Sequence, residues 1–428
     1  MQPLIVFVLS AVIAMGTISA SAEPLPSSNP EQVGLSSQRL ARLSQALKAD
    51  ADKGKIPGAV ALVSRKGRVA YFEAFGFRDK ASGAPMTRDA IFRIYSMTKP
   101  ITSVAAMMLV EEGKILLTDP ASKYLPALAK LEVAVPRLDS GTGRTTYDLV
   151  PAERPMTIQD LLRHTSGLTY GDSTPNARVK EAYAKSGVDW KDMTPAEQVE
   201  RLGKVPLAFQ PGTVWHYGLS TDVLGRVVEA VSGGTLGQFF QERIFAPLKM
   251  ADSGFLVTRE KAGRIAEPFD KDPTTGEAIK LLDVTAPQKN DSGGGGGVAT
   301  TLDYARFCQM LLSGGQLDGV RLLSPTTVRL MTSDHLGRIA DAGPSPTTGL
   351  LGTPGYGFGL GFAVRREDGI AAVPGSSGDY TWGGYAGTYF WIDPKEELFG
   401  VLMTQQPGPV RVEYRKLFRQ LVYQAIVN

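Results

Sequence analysis

A single cysteine, Cys308, stands in a chain of 428 residues, so no disulfide can form within it. It lies in an apolar helical pattern and is expected as a small buried residue. Histidine is nearly as scarce. His164, His216 and His335 are widely scattered and none falls in an H-E-x-x-H pattern, so with one cysteine they give no metal-ligand spacing. No metal and no cofactor is expected. The glycine run Gly293–Gly297 is not followed by the G-K-[ST] of a phosphate-binding loop and is expected as a tight turn before a helix starting near Thr301. No G-x-S-x-G occurs, which removes the nucleophile elbow of α/β-hydrolases. Asn290-Asp291-Ser292-Gly293-Gly294 loosely matches a serine-protease nucleophile loop, but no surrounding strand spacing supports a β-barrel.

Long runs are also missing. Basic and acidic residues are interspersed and the net charge is only +3, which leaves no footprint for nucleic acid or an anionic membrane. The most apolar stretch, residues 4–15, is too short to span a bilayer. Small residues ending in Ala20-Ser21-Ala22 follow it, so residues 1–22 are expected as a cleaved signal peptide. That implies export to the periplasm or outside the cell, with no stable membrane anchor. The departure from pattern is that no Lys or Arg precedes the apolar run, leaving only the terminal amine as positive charge.

What remains is a composition ordinary for a soluble globular enzyme, 43% hydrophobic and 21% charged. A chain of this length exceeds one compact core, so two domains are expected. Residues 36–53 have amphipathic helical spacing, with Leu40, Leu43 and Leu47 on one stripe and Ser36 as cap. Strand texture follows at 59–63, 68–75 and 91–95, then a helix to Glu112. From 115 to 285 the texture is helical and loop-rich, with helices expected at 157–163, 195–203, 220–232 and 235–245. Strand texture returns at 356–366, 386–393 and 398–404 before a C-terminal helix at 411–427. Strands at both ends with helices between predict an α/β domain from residues 23–114 and 286–428, and a mainly helical inserted domain at 115–285. No fixed-period repeat is present.

The chemistry centres on Ser96-Met97-Thr98-Lys99. A serine hydroxyl needs a neighbour to take its proton, and a lysine three residues on along a helix shares its face. Such a lysine must be at least partly neutral to accept a proton, which burial or cationic neighbours would favour. With 27 serines and 20 lysines in the chain, about one such pair is expected by chance, so context decides. The pair sits where a strand turns into a helix, and backbone N–H groups there favour developing negative charge. Two further segments fit a serine–lysine machine. Tyr217, in Trp215-His216-Tyr217-Gly218-Leu219, could share a proton with a nearby ammonium. Trp382-Gly383-Gly384-Tyr385 puts small residues before a strand, expected as an edge that lets substrate approach closely. Standing alone, the first is an ordinary core tyrosine and the second a turn.

These three motifs in this order resemble the family VIII carboxylesterases, which are similar to class C β-lactamases and D-Ala-D-Ala carboxypeptidases. Arg163-His164-Thr165-Ser166-Gly167-Leu168 and the Gly293–Gly297 loop match in style, and the likeness runs from about residue 30 to 425. The resemblance implies a penicillin-recognising fold, with an antiparallel sheet flanked by helices and a mostly helical insert. It also implies Ser96 as acylated nucleophile, Lys99 and Tyr217 as its proton partners, and the N–H groups of Ser96 and Tyr385 as oxyanion donors. Which of Lys99 and Tyr217 is the acylation base stays open, because coupled groups titrate as a pair. Trp382, Gly383, Gly384 and Leu219 would contact substrate. The β-lactamase pattern has Tyr-x-Asn where this chain has Tyr217-Gly218-Leu219, and Lys-Thr-Gly where it has Trp382-Gly383-Gly384. Loss of that amide and that cation favours neutral, small-molecule esters with short to medium acyl chains over anionic β-lactams, leaving weak β-lactam hydrolysis open. The alternatives are a β-lactamase or carboxypeptidase, and a non-catalytic peptidoglycan-binding module. The oligomeric state is not encoded in any motif.

Overall fold

The computed structural model describes residues 24–188, 192–341, 348–351 and 354–428. The expected signal peptide, 1–22, lies outside the described residues. Ten α-helices are described: α1 (Ser37–Asp52), α2 (Thr98–Glu111), α3 (Ile158–Leu162), α4 (Ala177–Ser186), α5 (Pro195–Leu202), α6 (Ser220–Ser232), α7 (Leu236–Phe240), α8 (Thr301–Leu312), α9 (Pro325–Met331) and α10 (Val410–Tyr423). The strands are β1 (Gly58–Arg65), β2 (Arg68–Asp79), β3 (Ala84–Pro85), β4 (Ile91–Arg93), β5 (Glu132–Leu138), β6 (Thr145–Pro151), β7 (Val298–Thr300), β8 (Gln316–Leu317), β9 (Val320–Arg321), β10 (Tyr356–Phe358), β11 (Ala363–Arg365), β12 (Tyr380–Gly383), β13 (Tyr389–Asp393) and β14 (Leu398–Thr404).

Eight of these strands form one antiparallel sheet in the order β10-β11-β12-β13-β14-β1-β2-β3, so the chain's two ends meet at the β14–β1 pair. Alternation of side chains along the strands divides the interior in two. Val60 and Leu62 of β1, with Phe399, Val401 and Met403 of β14, enter the larger core beside α2 and α8. Ala59, Ala61 and Val63, with Leu398, Leu402 and Trp391, face the other way, against Leu40, Leu43 and Leu47 of α1 and Phe418 of α10. Both faces of β1 and β14 are therefore covered, which explains why their sequences are apolar without a polar alternation. Helix α1 starts as expected, with the Ser36 side chain accepting from the Arg39 N–H.

Residues 115–285 contribute no described strand to this sheet. They hold α3–α7 together with a β5–β6 hairpin that the helical texture of the sequence did not suggest. Helix α2 is buried from Thr98 to Leu109 and packs against α6. That accounts for its apolar character on all sides. β12 is a second difference. Trp382 and Gly383 belong to a strand paired with β11 and β13, not to a turn ahead of an edge strand.

One buried carboxylate organises the insert. Asp160, 0% exposed, caps α3 and accepts from Arg154, Arg163, the Thr157 N–H and the Thr165 hydroxyl. Burial would raise its pKa, but these donors more than offset it and hold the carboxyl at about 2. Its stabilising contribution is thus complete above the carboxylate's unfolded-state pKa and is lost as pH falls toward the folded value. Asp160→Asn is expected to lower unfolding free energy by on the order of 3 kcal/mol in urea titrations at pH 7. The wild-type advantage should shrink on acidification from about pH 4 toward the folded pKa.

Candidate active site

The described residues enclose a cavity of about 540 Å³ between the β12 side of the sheet, the start of α2 and the end of the chain. Ser96 lines it from a single 3-10 turn, Tyr95–Met97, just ahead of α2. Tyr95 takes a left-handed backbone conformation (φ 44°), which side chains other than glycine adopt only at a cost. Its ring lines the cavity and its hydroxyl accepts from the Leu282 N–H at 2.9 Å.

Lys99 lies behind the cavity wall, 1% exposed. Its ammonium donates to the Gly294 carbonyl at 2.6 Å and to the Tyr170 hydroxyl at 3.0 Å. It also stands 4.6 Å from the centre of the Tyr217 ring. Sequence reasoning expected burial to lower this pKa. Burial does act in that direction, but Tyr170, Tyr217 and the Asp222 carboxylate outweigh it and hold Lys99 above the ordinary lysine range. A lysine acting as the base would have to be partly neutral, and the direction of this shift favours the charged form instead.

Tyr170 and Asp222 were not singled out by sequence. Tyr170 follows the Ser166-Gly167-Leu168-Thr169 loop, and burial raises its phenol pKa against the pull of Lys99. Asp222, in the first turn of α6, accepts from the Ser292 hydroxyl at 2.5 Å and the Gly294 N–H at 3.3 Å. Burial pushes its carboxyl up, opposed chiefly by Lys99. The glycine run thus has a specific task as well as turning the chain. A Cβ on Gly294 would collide with the Asp222 carboxylate, so the loop could not bring its carbonyl to Lys99. Gly294→Ala is expected to destabilise the fold by about 1–3 kcal/mol through overpacking, measurable as a lower thermal midpoint.

Tyr217 lines the cavity in an aromatic surround, with ring centres 4.8 Å from His164, 5.7 Å from Tyr170 and 5.3 Å from Trp382. His164 is kept neutral by burial and by Lys99. His335 bonds Gln159 and the Leu330 carbonyl, away from the cavity. Trp382, Gly383, Gly384 and Tyr385 all line the cavity. Gly384 packs so closely on the Ile94 carbonyl that a Cβ there would clash, which brings the end of β12 against the Ser96 turn. The Tyr385 ring, 52% exposed, meets Tyr95 edge to face at 5.5 Å. Leu219 is not brought to the site: it is 4% exposed, heads α6 and does not line the cavity. Its expected contact with substrate is corrected accordingly. Among the described residues no group of His, Cys, Asp and Glu could hold a metal ion, and no helix is long and apolar enough to cross a membrane.

The two-sided antiparallel sheet, the buried α2 and the serine turn at its start define the penicillin-recognising fold. The chain belongs to the Beta-lactamase family, whose description matches residues 43–424. A lovastatin esterase of Penicillium rubens is 35% identical over 397 residues, 87% of this chain and 95% of its own. Esterase EstB of Burkholderia gladioli is 31% identical, covering 84% of this chain and 90% of its own. The solved structure of EstCE1, described as a hydrolase with promiscuous acyltransferase activity, superposes with a TM-score of 0.73. It is 29% identical, covering 91% of this chain and 99% of its own. These relatives bear out the resemblance to family VIII esterases and support a serine hydrolase of the ester-cleaving type.

Proposed function

We propose that this protein is an exported serine carboxylesterase that cleaves esters with short to medium acyl chains through an acyl-enzyme on Ser96. The observation that carries the reading is the buried Lys99 ammonium, placed between two phenols one helical turn from a cavity-lining serine. Both phenols line the cavity beside Lys99, and the role of proton acceptor goes to Tyr217, the tyrosine of the motif that resembles the family VIII pattern. Ser96 Oγ attacks the ester carbonyl carbon as its proton passes to the Tyr217 oxygen, which acts in its phenolate form. The carbonyl oxygen becomes an oxyanion received by the N–H groups of Ser96 and Tyr385. Collapse breaks the carbon–alkoxy bond, and the leaving alkoxide takes the proton back from Tyr217. Water then repeats the sequence on the acyl-serine and releases the acid. Where an alcohol replaces water in the second half, the same steps transfer the acyl group. The aromatic cavity wall and the acyltransferase activity described for EstCE1 favour that as a second outcome.

The test compares 4-nitrophenyl butyrate with a chromogenic cephalosporin, using Ser96→Ala as control and mass spectrometry to detect the acyl adduct. The ester is expected to give the higher kcat/KM and an adduct that is absent from Ser96→Ala. A higher value for the cephalosporin would make the protein a β-lactamase, and no adduct with either would make it a binding module. Tyr170→Phe removes a hydrogen bond to a charged group, so kcat should fall roughly 10- to 100-fold while the variant still unfolds cooperatively.

A further inference from the structure

The motif comparison implied a site without charged anchors, because Trp382 stands where the β-lactamase pattern has lysine. The cavity wall supplied by α10 is different. Arg411, Arg415 and Arg419 occupy successive turns of this helix at i, i+4 and i+8, and all three line the cavity together with Lys416. Arg419 is paired with a carboxylate. It and Arg365 share the fully buried Asp379 carboxylate, which also accepts from the Tyr356 hydroxyl at 2.7 Å. Arg411 and Arg415 have no carboxylate partner among the described residues. Among the described residues the one acid that lines the cavity is Asp222, which is engaged with Ser292 and Gly294 beside Lys99.

Arg415 is the more confined of the pair. One Nη donates to the Gly384 carbonyl at 2.5 Å, while its buried Nε–H has no hydrogen-bond partner. The guanidinium lies close under Gly383, where an added Cβ would stand 2.6 Å from its central carbon. Arg411 donates to the Tyr385 carbonyl at 2.8 Å. Both cations therefore border the Gly383-Gly384-Tyr385 turn. Burial, followed by repulsion from Arg411, lowers the Arg415 pKa to about 10, which still leaves it charged at neutral pH. Two adjacent cations that line the cavity with no carboxylate partner among the described residues form a receptor for an anion with planar acceptor geometry.

We propose that Arg415, assisted by Arg411, binds a carboxylate carried by the ester substrate. The preferred substrates are then monoanionic esters and not the neutral ones that the Trp382 replacement alone implies. This rests on the esterase reading and names the substrate class of the same cavity. The carboxylate can be carried by the acyl part or by the alcohol part.

The experiment pairs each anionic ester with a neutral counterpart: mono-4-nitrophenyl glutarate against 4-nitrophenyl butyrate, and 3-(butyryloxy)benzoate against 3-(butyryloxy)benzamide. In the wild type, kcat/KM should be higher for the anionic member of at least one pair, and the pair concerned tells which part carries the charge. Arg415→Gln should lower kcat/KM for that ester about 10- to 100-fold relative to its neutral partner, chiefly through KM. Arg415 also supports the Gly384 carbonyl, but loss of that support would lower both members of a pair together. A parallel fall, or no change in the ratio, overturns the proposal and leaves the esterase reading standing. If no ester is turned over, the esterase reading fails. Calorimetric titration with glutaramate then still decides on the anion site: binding weakened by Arg415→Gln supports it, and equal or absent binding in both proteins overturns it.

Discussion

A lysine ammonium deep in a protein interior has to be compensated, and most of the site's geometry is a consequence of compensating Lys99. Three separate segments do so: the Gly294 carbonyl, the Tyr170 hydroxyl and, at longer range, the Asp222 carboxylate. Each contribution imposes a requirement on its own segment. The loop at Gly294 must come close enough that no Cβ fits beside Asp222. Tyr170 must emerge from a loop fixed upstream by Asp160 through Thr165. Asp222 must sit in the first turn of α6, held by Ser292. Removing any of these would leave a buried charge short of partners, so their effects should be coupled and not additive.

The same constraint explains the position of α2. Lys99 can meet residues from the insert and from the glycine loop only if its helix is enclosed, and α2 is buried over twelve consecutive residues. Ser96, at the mouth of that helix, is then the point where the enclosed region opens to the cavity. The left-handed Tyr95 and the close approach of Gly384 to the Ile94 carbonyl set the direction of the serine turn from both sides. The sheet contributes by bringing β12 alongside. This is possible because β14 and β1 join the two ends of the chain into one platform.

How much of this was legible follows from how local each signal is. Ser96, Lys99, Tyr217 and Trp382 belong to short motifs, and the structure brings the serine, the tyrosine and the tryptophan to one cavity with the lysine behind it. The main helices and most sheet strands were readable from periodicity, since burial on one or two faces writes itself into spacing. The β5–β6 hairpin was not, because its strands are largely exposed and burial leaves no alternating pattern along them. Tyr170 and Asp222 were not legible either, since each acts through a partner more than fifty residues away and no spacing marks it. The direction of the Lys99 shift was not legible for a related reason. Burial can be inferred from an apolar helix, but the phenols and carboxylate that reverse its effect come from elsewhere in the chain. Leu219 shows the converse: its neighbour in the motif reaches the cavity, yet the start of α6 turns it into the core.

The balance of charge around the cavity shows why a motif comparison alone misreads specificity. Exchange of a cation for the indole of Trp382 makes the β12 wall apolar, and that wall continues through Tyr217, with the buried Phe358 ring packed against Trp382. Polarity is then set by whatever faces it. Helix α10 packs on the far face of the sheet through Phe418 and Val422, so its fourfold spacing sends Arg411, Arg415 and Arg419 along another side toward the cavity. Asp379 sits deep and serves Arg365 and Arg419, not the two outer arginines of the helix. The two outer arginines are held by carbonyl oxygens, which accept hydrogen bonds but carry no formal charge to cancel theirs. An apolar wall opposite an uncompensated cationic edge distinguishes the two ends of a substrate, which neither a wholly aromatic cavity nor a wholly charged one would do.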